Sequence, residues 1–353
     1  MKVIIVAPSL NSKITLGGIS AVASFIIDNN RDVEYIHFEQ GKRDAEKGGY
    51  HRIDNLISNL KKWRSILNKT PEAIIHYNFP LSPAAIVRDY IFMKYAHEHG
   101  KKMVIHVHGG LYMNTEDIPC LIKWMLKDIF SWNIPFVVLS DKERDVLKKR
   151  YGTAIVYVLP NCVDIDQTYC KSYNHDILTL GYIGRITSDK GMGELLEVCN
   201  RIQKREVPFK LTIAGVEETS THFVDSFKYM LGDNFNYVGI VTGNEKERFL
   251  KNLDIFILPS YFEGLPISLL ECMSYGVVSI STKVGSIPEL IKDGYNGYLV
   301  NVKDISSIVN TIIFLEKNRK KLEILGAEAR KTIIEKFSPQ KYVKNLNQIY
   351  NSL

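Results

Sequence analysis

The 353-residue chain is longer than one ordinary single-core domain, so its length predicts two domains of roughly 150 to 200 residues each. Hydrophobic residues make up 45% and charged residues 24%, a globular balance that disfavours disordered, collagen-like and disulfide-stapled chains. The net charge of +6 is uneven: residues 1–165 carry 22 basic and 17 acidic residues, and 166–353 carry 23 and 22. A basic N-terminal half fits a solvated surface, nucleic acid, anionic lipid or a phosphorylated substrate, and charge alone does not choose among them.

Targeting signals and cysteine usage both favour a cytoplasmic protein. No stretch approaches the roughly 18 apolar residues of a membrane helix, and MKVIIVAPSL at the start predicts a buried strand rather than a signal peptide. The five cysteines are odd in number and never spaced as C-x-x-C, so they indicate neither a disulfide framework nor a zinc site.

Short β-branched runs alternate with segments of helical spacing along the whole chain, which predicts buried parallel strands joined by crossover helices. The predicted strands of the first half are 3–7, 33–38, 73–77, 103–108, 136–140 and 154–159. Those of the second half are 177–184, 209–215, 254–260, 277–282 and 297–300.

The fold class is therefore α/β, with two Rossmann-like βα domains and a ligand cleft between them at the carboxyl ends of the strands. We expect an N-terminal domain over 1–168 and a C-terminal domain over 169–338. A closing helix over 339–353, with apolar residues at helical spacing after Pro339, returns to the N-terminal domain.

Two local patterns in the first half are candidate site features. Gly17 and Gly18 follow the first strand and open an apolar helix, where glycine lets the backbone approach a ligand and the helix amides favour an anion. An ordinary turn explains the pair as well, since the G-x-G-x-x-G spacing is absent. His108, before Gly109, leaves a buried strand at its carboxyl end, where it is either a structural residue or a site residue. His106, on the same strand face, lies deeper.

The segment GYIGRITSDKGM contains a candidate phosphate loop, because a strand ends and a helix begins there. After Gly184, the forked guanidinium of Arg185 and the ammonium of Lys190 suit a diphosphate. A pair of solvated cations is the simpler interpretation.

The most informative pattern runs from Glu263 to Glu271 as EGLPISLLE and follows the predicted strand 254–260. Pro266 suits the first turn of a helix, so the amides of residues 265–268 are placed to face an anion. Glu271 is placed to accept hydrogen bonds from a ribose diol, and Glu263 to reach a sugar hydroxyl. The simpler interpretation is that Glu263 caps the helix and Glu271 lies on a solvated face.

These motifs together resemble the retaining glycosyltransferases of the GT-B fold, most closely family 4, the glycosyl transferases group 1. The resemblance rests on the glutamate pair, on GRITSDKG, on LPNCVD at 159–164, on the glycine pair at 17 and 18 and on His108, all in family order. It implies a sugar transfer from a nucleotide-sugar, a UDP-sugar or alternatively a GDP-sugar, to a hydroxyl of a glycan or lipid-linked acceptor in surface polysaccharide or glycoconjugate biosynthesis.

The resemblance also implies a role for each motif residue. Arg185 and Lys190 would hold the donor diphosphate, Glu271 the ribose and Glu263 the transferred sugar, while Ile240 would lie near the base. The other residues implied at the donor are Gly18, Gly184, Gly264, Leu265, Pro266 and Ile267, and those implied at the acceptor are Gly17, His108 and Gly109. The catalytic group would comprise His108, Arg185, Lys190 and Glu263. Loops 8–16, 40–50 and 110–118 would read the acceptor.

We expect no metal and no cofactor. The developing charge is the leaving nucleoside diphosphate, which Arg185, Lys190 and helix amides are placed to stabilise. Asp164 and Asp166 spell the Asp-x-Asp that binds manganese in the other large glycosyltransferase fold. Their position inside the LPNCVD resemblance favours a structural role.

Two amphipathic segments are candidates for contact with an anionic membrane. Residues 50–68 carry Trp63 on an apolar stripe with Lys61, Lys62 and Arg64 interleaved, and 121–133 carry Trp124 and Trp132 with Lys123 and Lys127. Packing of these stripes on the domain's own sheet is the simpler interpretation.

Two other functions fit the same pattern less well. A nucleotide-sugar 2-epimerase also uses two βα domains and a UDP-sugar, and a non-catalytic nucleotide-sugar-binding subunit would keep the fold. A nucleic-acid partner is not expected, since no helix-turn-helix, ribonucleoprotein or zinc signature accompanies the basic charge.

Overall fold

The computed structural model describes residues 1–11, 17–41, 51–173 and 176–353. The chain forms two compact units, Met1–Asn161 with Pro339–Leu353, and Cys162–Ser338. The division lies slightly before the boundary expected at 168/169. Segment 162–168 lies with the second unit because Arg330 donates to the Asp166 carbonyl, while Lys251 Nζ lies 3.9 Å from the Asp166 carboxylate.

The first unit contains a six-stranded parallel sheet in the order β2-β1-β3-β4-β5-β6. Its strands are β1 (Lys2–Ala7), β2 (Glu34–Glu39), β3 (Ile74–Phe79), β4 (Met103–Val107), β5 (Phe136–Val138) and β6 (Val156–Val158). Its connecting helices are α1 (Gly18–Asn29), α2 (His51–Lys69), α3 (Pro83–Glu98), α4 (Leu111–Asn114), α5 (Cys120–Ser131) and α6 (Asp141–Tyr151).

The second unit repeats the arrangement in the strand order β12-β11-β10-β7-β8-β9. Its strands are β7 (Leu178–Ile183), β8 (Phe209–Ala214), β9 (Phe235–Gly239), β10 (Ile255–Leu258), β11 (Val278–Thr282) and β12 (Tyr298–Val300). Its helices are α7 (Met192–Gln203), α8 (Phe223–Leu231), α9 (Gly243–Lys251), α10 (Ile267–Ser274), α11 (Ile287–Leu290), α12 (Ile305–Lys317) and α13 (Arg319–Lys336), and α14 (Pro339–Asn351) follows in the first unit.

This architecture confirms the predicted α/β class and the parallel sheets of both halves. Strand β9 was not among the strands predicted from apolar runs. It lies at the edge of its sheet with most of its residues exposed, so its sequence shows no buried run.

One face of the first sheet packs against α2, α3 and α5. Trp63 and Leu67 of α2 are fully or almost fully buried in this core, where the Trp63 ring lies 4.8 Å from that of Phe38. The α2 stripe therefore packs on its own sheet, as the simpler interpretation held. Trp132, after α5, is also buried, whereas Trp124 remains 55% exposed.

The C-terminal helix α14 packs in the first unit through one apolar stripe. Tyr342, Leu346, Ile349 and Tyr350 of α14 are all buried. The Tyr350 hydroxyl lies 2.6 Å from Nδ1 of His76 on β3, so the helix is joined to the sheet by a buried hydrogen bond as well as by apolar contact.

Candidate functional site

The predicted phosphate loop follows β7 in the second unit. Arg185 is exposed, and its guanidinium has no hydrogen bond or ion pair to any described side chain or carbonyl. Gly191 has a φ of +75°, and a Cβ there would lie 2.3 Å from the carbonyl oxygen of Pro259. The loop is thereby held against the chain that follows β10, the strand next to β7.

Residues 263–266, the EGLP segment, lie in the connection between β10 and α10. Pro266 is the N-cap of α10, with ψ of 125°, and the helix begins at Ile267. The expectation that Pro266 opens the first turn was therefore wrong by one residue, because its extended ψ lies outside the helical range. Leu270 donates the first helical hydrogen bond to Pro266, which leaves the amides of residues 267–269 without helical acceptors.

A partly buried ion pair joins the two segments. Lys190 Nζ donates to Glu263 Oε1 over 2.7 Å, and the two side chains are only 17% and 12% exposed. Glu263 makes no capping bond to α10. The simpler interpretation of Glu263 as a helix cap is thus inconsistent with the geometry, and that of two solvated cations fails for Lys190 but fits the exposed Arg185. Two residues of the predicted donor site, separated by more than a third of the second unit, are in direct contact.

Glu271 forms a second such pair with Lys246 of α9. Lys246 Nζ donates to Glu271 Oε1 over 2.6 Å, while Oε2 is buried and bonds to no described residue. Burial raises the pKa of the Glu271 carboxyl, an effect that Lys246 opposes and the charge of Asp164 adds to. Glu271 therefore does not lie on a solvated face, and it presents a free acceptor oxygen.

Lys246 was missed by the sequence analysis. It lies in a polar helix, among residues that read as an ordinary solvated surface. The only available signal was its place just after the segment 237–242, which the family resemblance assigned to the base. Ile240 of that segment is 42% exposed.

Gly285 packs closely against the backbone of the EGLP segment. It has a φ of +54°, and a Cβ at this position would lie 2.2 Å from the Glu263 carbonyl oxygen and 2.6 Å from that of Gly264. The next amide, of Ser286, donates to the Gly264 carbonyl over 3.0 Å. The loop at 285–286 therefore fixes the backbone of Glu263 and leaves no room for a side chain.

The remaining predicted site residues lie in the first unit. Gly17 is the N-cap of α1, and Gly18 opens that helix with no described atom within 4 Å of an added Cβ. Internal packing thus does not require glycine at 18. His108 follows β4 and is partly buried, with its Nε2 2.7 Å from Asn78 Oδ1. Gly109, next to it, has a φ of +67°.

The predicted acceptor loops are only partly described. Residues 12–16 and 42–50, which make up most of two of them, lie outside the described ranges.

Asp166 of the Asp-x-Asp pair bonds to the turn that follows it. Asp166 Oδ1 accepts from the amide and hydroxyl of Thr168, and these bonds hold the pKa of the Asp166 carboxyl below its ordinary value. Among the described residues, no group of three or more His, Cys, Asp and Glu side chains is arranged to hold a metal ion. Within the same ranges, no helix combines the length and hydropathy required to cross a bilayer.

Comparison with solved structures identifies the fold class. The chain matches Anabaena HepE, solved in complex with UDP-glucose, with a TM-score of 0.77 at 14% identity over 100% of both chains. The protein therefore has the GT-B fold, the two-domain fold of many glycosyltransferases.

The second unit also matches a family model. Residues 172–332, a little under half of the chain, match the model of the glycosyl transferases group 1, which agrees with the resemblance to glycosyltransferases at the level of this group. A capsular polysaccharide biosynthesis glycosyltransferase, CapM of Staphylococcus aureus, is 29% identical over 53% of this chain and 49% of its own length. An uncharacterized 41.2 kDa protein in the cps region of Klebsiella pneumoniae is 28% identical over 95% of this chain and 97% of its own. In contrast to the Klebsiella protein, CapM and the other first curated relatives are matched by this chain over only about half of their length.

Replacing Gly285 with alanine should destabilise the second unit and displace Glu263. The clash with two carbonyl oxygens adds to the cost of a left-handed alanine, and we expect a loss of about 3 kcal/mol in the free energy of unfolding. Urea titration followed by circular dichroism measures it. Gly294→Ala is the matched control, since Gly294 has a φ of +71° but open space around its Cβ, and should cost only about 1 kcal/mol. Equal losses would show that Gly285 does not support the segment.

Proposed function

We propose that this protein is a retaining, metal-independent glycosyltransferase that moves a sugar from a nucleotide-sugar, most simply a UDP-sugar, to a hydroxyl acceptor. The second unit binds the donor and the first unit contributes to binding the acceptor. The observation that carries the proposal is the contact between Lys190 and Glu263. It joins the predicted diphosphate loop to the predicted sugar-binding glutamate at the ends of adjacent strands.

The two ion pairs suggest how the donor is bound. A diphosphate is a stronger partner for Lys190 than one carboxylate, so its binding would engage Lys190 together with Arg185 and free Glu263 for a sugar hydroxyl. Glu271 would keep Lys246 on Oε1 and accept a ribose hydroxyl on Oε2. Each buried charge then has a partner both before and after the donor binds.

The same groups supply the chemistry that transfer requires. Negative charge develops on the leaving diphosphate, where Arg185, Lys190 and the first amides of α10 would stabilise it. We propose front-face attack in which the leaving phosphate helps to deprotonate the acceptor. A double displacement would need a positioned carboxylate nucleophile, whereas Glu263 is assigned to a sugar hydroxyl.

Transfer should not depend on a divalent metal. Excess EDTA in an assay of nucleoside diphosphate release should leave the rate within about twofold of the untreated enzyme, because cations of the protein hold the diphosphate. A rate lost with EDTA and restored by Mn²⁺ or Mg²⁺ would contradict this account of the site.

A panel of nucleotide-sugars tests the donor site directly. A ligand that binds only the folded protein raises its melting temperature with concentration, so the correct donor should stabilise the protein progressively. Glu271→Ala should abolish the shift, because it removes the ribose acceptor and leaves Lys246 unpaired. Glu323→Ala, which changes an exposed glutamate of α13, is the control. Full stabilisation of Glu271→Ala would remove Glu271 from the ribose role. A shift with GDP-sugars alone would show that the donor carries guanine rather than uracil.

Acceptor dependence separates the competing functions. A transferase releases free nucleoside diphosphate at a useful rate only when an acceptor is present. An epimerase would convert the nucleotide-sugar without an acceptor, and a binding subunit would show stabilisation without turnover on any acceptor extract.

The relatives suggest the setting of the reaction. CapM is described as a capsular polysaccharide biosynthesis glycosyltransferase, and the Klebsiella protein lies in a cps region. We propose a glycan or lipid-linked acceptor in surface polysaccharide assembly, with the protein acting in the cytoplasm at the inner face of the membrane and without nucleic acid.

Membrane contact would use α5 rather than α2. Leu121 and Trp124 of α5 are 58% and 55% exposed, and the Trp124 ring lies 5.6 Å from that of Tyr90 on α3. Lys123 and Lys127 are exposed on the same helix. Exposed aromatic and apolar side chains between lysines suit the interface of an anionic bilayer.

Vesicles containing phosphatidylglycerol should bind the protein at moderate salt, and pure phosphatidylcholine vesicles should bind it far less. Substitution of both Leu121 and Trp124 by serine should lower the affinity about tenfold or more, since their apolar area no longer enters the interface. Cosedimentation measures the binding. Ile324→Ser, at a 50% exposed position of α13, should change nothing. Unaltered binding of the double variant would contradict the assignment to α5.

A further inference from the structure

The side chain of Asn78 determines which nitrogen of His108 carries the proton. Asn78 is buried on β3, and its Nδ2 donates to the carbonyl oxygen of Val6 over 2.9 Å. Because a carbonyl only accepts, the amide nitrogen must face Val6, and Oδ1 must face His108 Nε2, 2.7 Å away. Oδ1 also only accepts, so Nε2 of His108 is the protonated nitrogen.

The other ring nitrogen of His108, Nδ1, is then an acceptor. The single hydrogen bond of the imidazole to a described residue is the one at Nε2, and the ring is only partly buried. A neutral imidazole with a fixed Nε2–H bond offers a lone pair in a defined direction. Such a nitrogen accepts from a hydroxyl, and it disfavours a ligand that itself has only acceptor atoms.

The neighbourhood of His108 keeps the ring neutral. His106, on the same face of β4, lies 4.2 Å from it between ring centroids, and its Nδ1 is 3.2 Å from Nε2 of His76. Burial lowers the pKa of His108 to about 3 and that of His76 to about 3, and it lowers the pKa of His106 as well. All three imidazoles are therefore uncharged at neutral pH.

We propose that Asn78 is a positioning residue that holds His108 in the Nε2–H tautomer, so that Nδ1 accepts a hydrogen bond from a sugar hydroxyl. The proposal deepens the proposed function and rests on it, because the hydroxyl belongs to the sugar of the donor or the acceptor. Asn78 touches no ligand itself. Asn78 acts indirectly, because it keeps the proton of His108 on Nε2 and sets the orientation of the imidazole ring.

Nuclear magnetic resonance of the full chain, labelled with ¹⁵N-histidine, tests the tautomer without any turnover. Long-range ¹H–¹⁵N spectra at neutral pH show which ring nitrogen is protonated, and the resonances of His108 are identified by their loss in His108→Gln. We expect Nε2 protonated and Nδ1 unprotonated. Asn78→Ala should give a mixture of tautomers, whereas Asn78→Asp should retain the native one, because burial favours a neutral carboxyl that donates to Val6 and still accepts from Nε2. Protonation on Nδ1 in the wild type, or an unchanged tautomer in Asn78→Ala, would overturn the proposal.

Kinetics separate positioning from structural support. We expect Asn78→Ala to lower kcat/KM about tenfold and Asn78→Asp to restore much of it, as for other groups that orient a site histidine. The matched control is Asn296→Ala in the second unit, a buried asparagine bonded to Lys292, Leu290 and Thr332, which should leave kcat/KM nearly unchanged. Equal losses in both alanine variants would show a structural role only. A protein without transferase activity would refute the proposed function, while the wild-type spectrum still decides the tautomer.

Discussion

The parallel pairing of β10 with β7 is the constraint on which the candidate donor site depends. Ile255 lies beside Leu180 and Phe256 beside Gly181, so the two strands end at the same edge of the sheet. An added Cβ at Gly181 would lie 2.4 Å from Leu253, which shows how closely the two segments approach. Residues that follow these strands are therefore neighbours whatever their separation along the chain, and Lys190 meets Glu263 for this reason.

Charge balance then maintains the site before any ligand arrives. An isolated buried carboxylate would lose its proton only at a cost of several kcal/mol, and an isolated buried lysine would be equally unfavourable. Pairing Lys190 with Glu263 and Lys246 with Glu271 avoids both penalties. The pairs also leave two groups for a ligand, the guanidinium of Arg185 and Oε2 of Glu271, neither of which bonds to a described residue, and these are a cation and an anion. A nucleoside diphosphate, which combines phosphates with a ribose diol, matches that combination.

The sequence predicted the parts that depend on local pattern and not those that depend on a distant partner. Strand β10 and the EGLPISLLE segment were found because buried runs and helix-start residues are local signals. Lys246 and Asn78 were not found, since their contacts with Glu271 and His108 join residues that are 25 and 30 positions apart in the sequence. Trp63 is a case in which the sequence pattern fits two environments. Its apolar stripe suits a membrane or a protein core equally well, and the packing against Phe38 identifies the core.

The two units use opposite kinds of chemistry at the ends of their sheets. In the second unit the groups are charged and paired, which suits a charged donor. In the first unit burial keeps His76, His106 and His108 neutral, and the bond to Asn78 places the proton of His108 on Nε2. A neutral group adds no attraction for phosphate, so the basic excess of residues 1–165 does not act through His108. In the proposed function, recognition by His108 would depend on the direction of one lone pair, and that direction is set by Asn78 and the carbonyl of Val6.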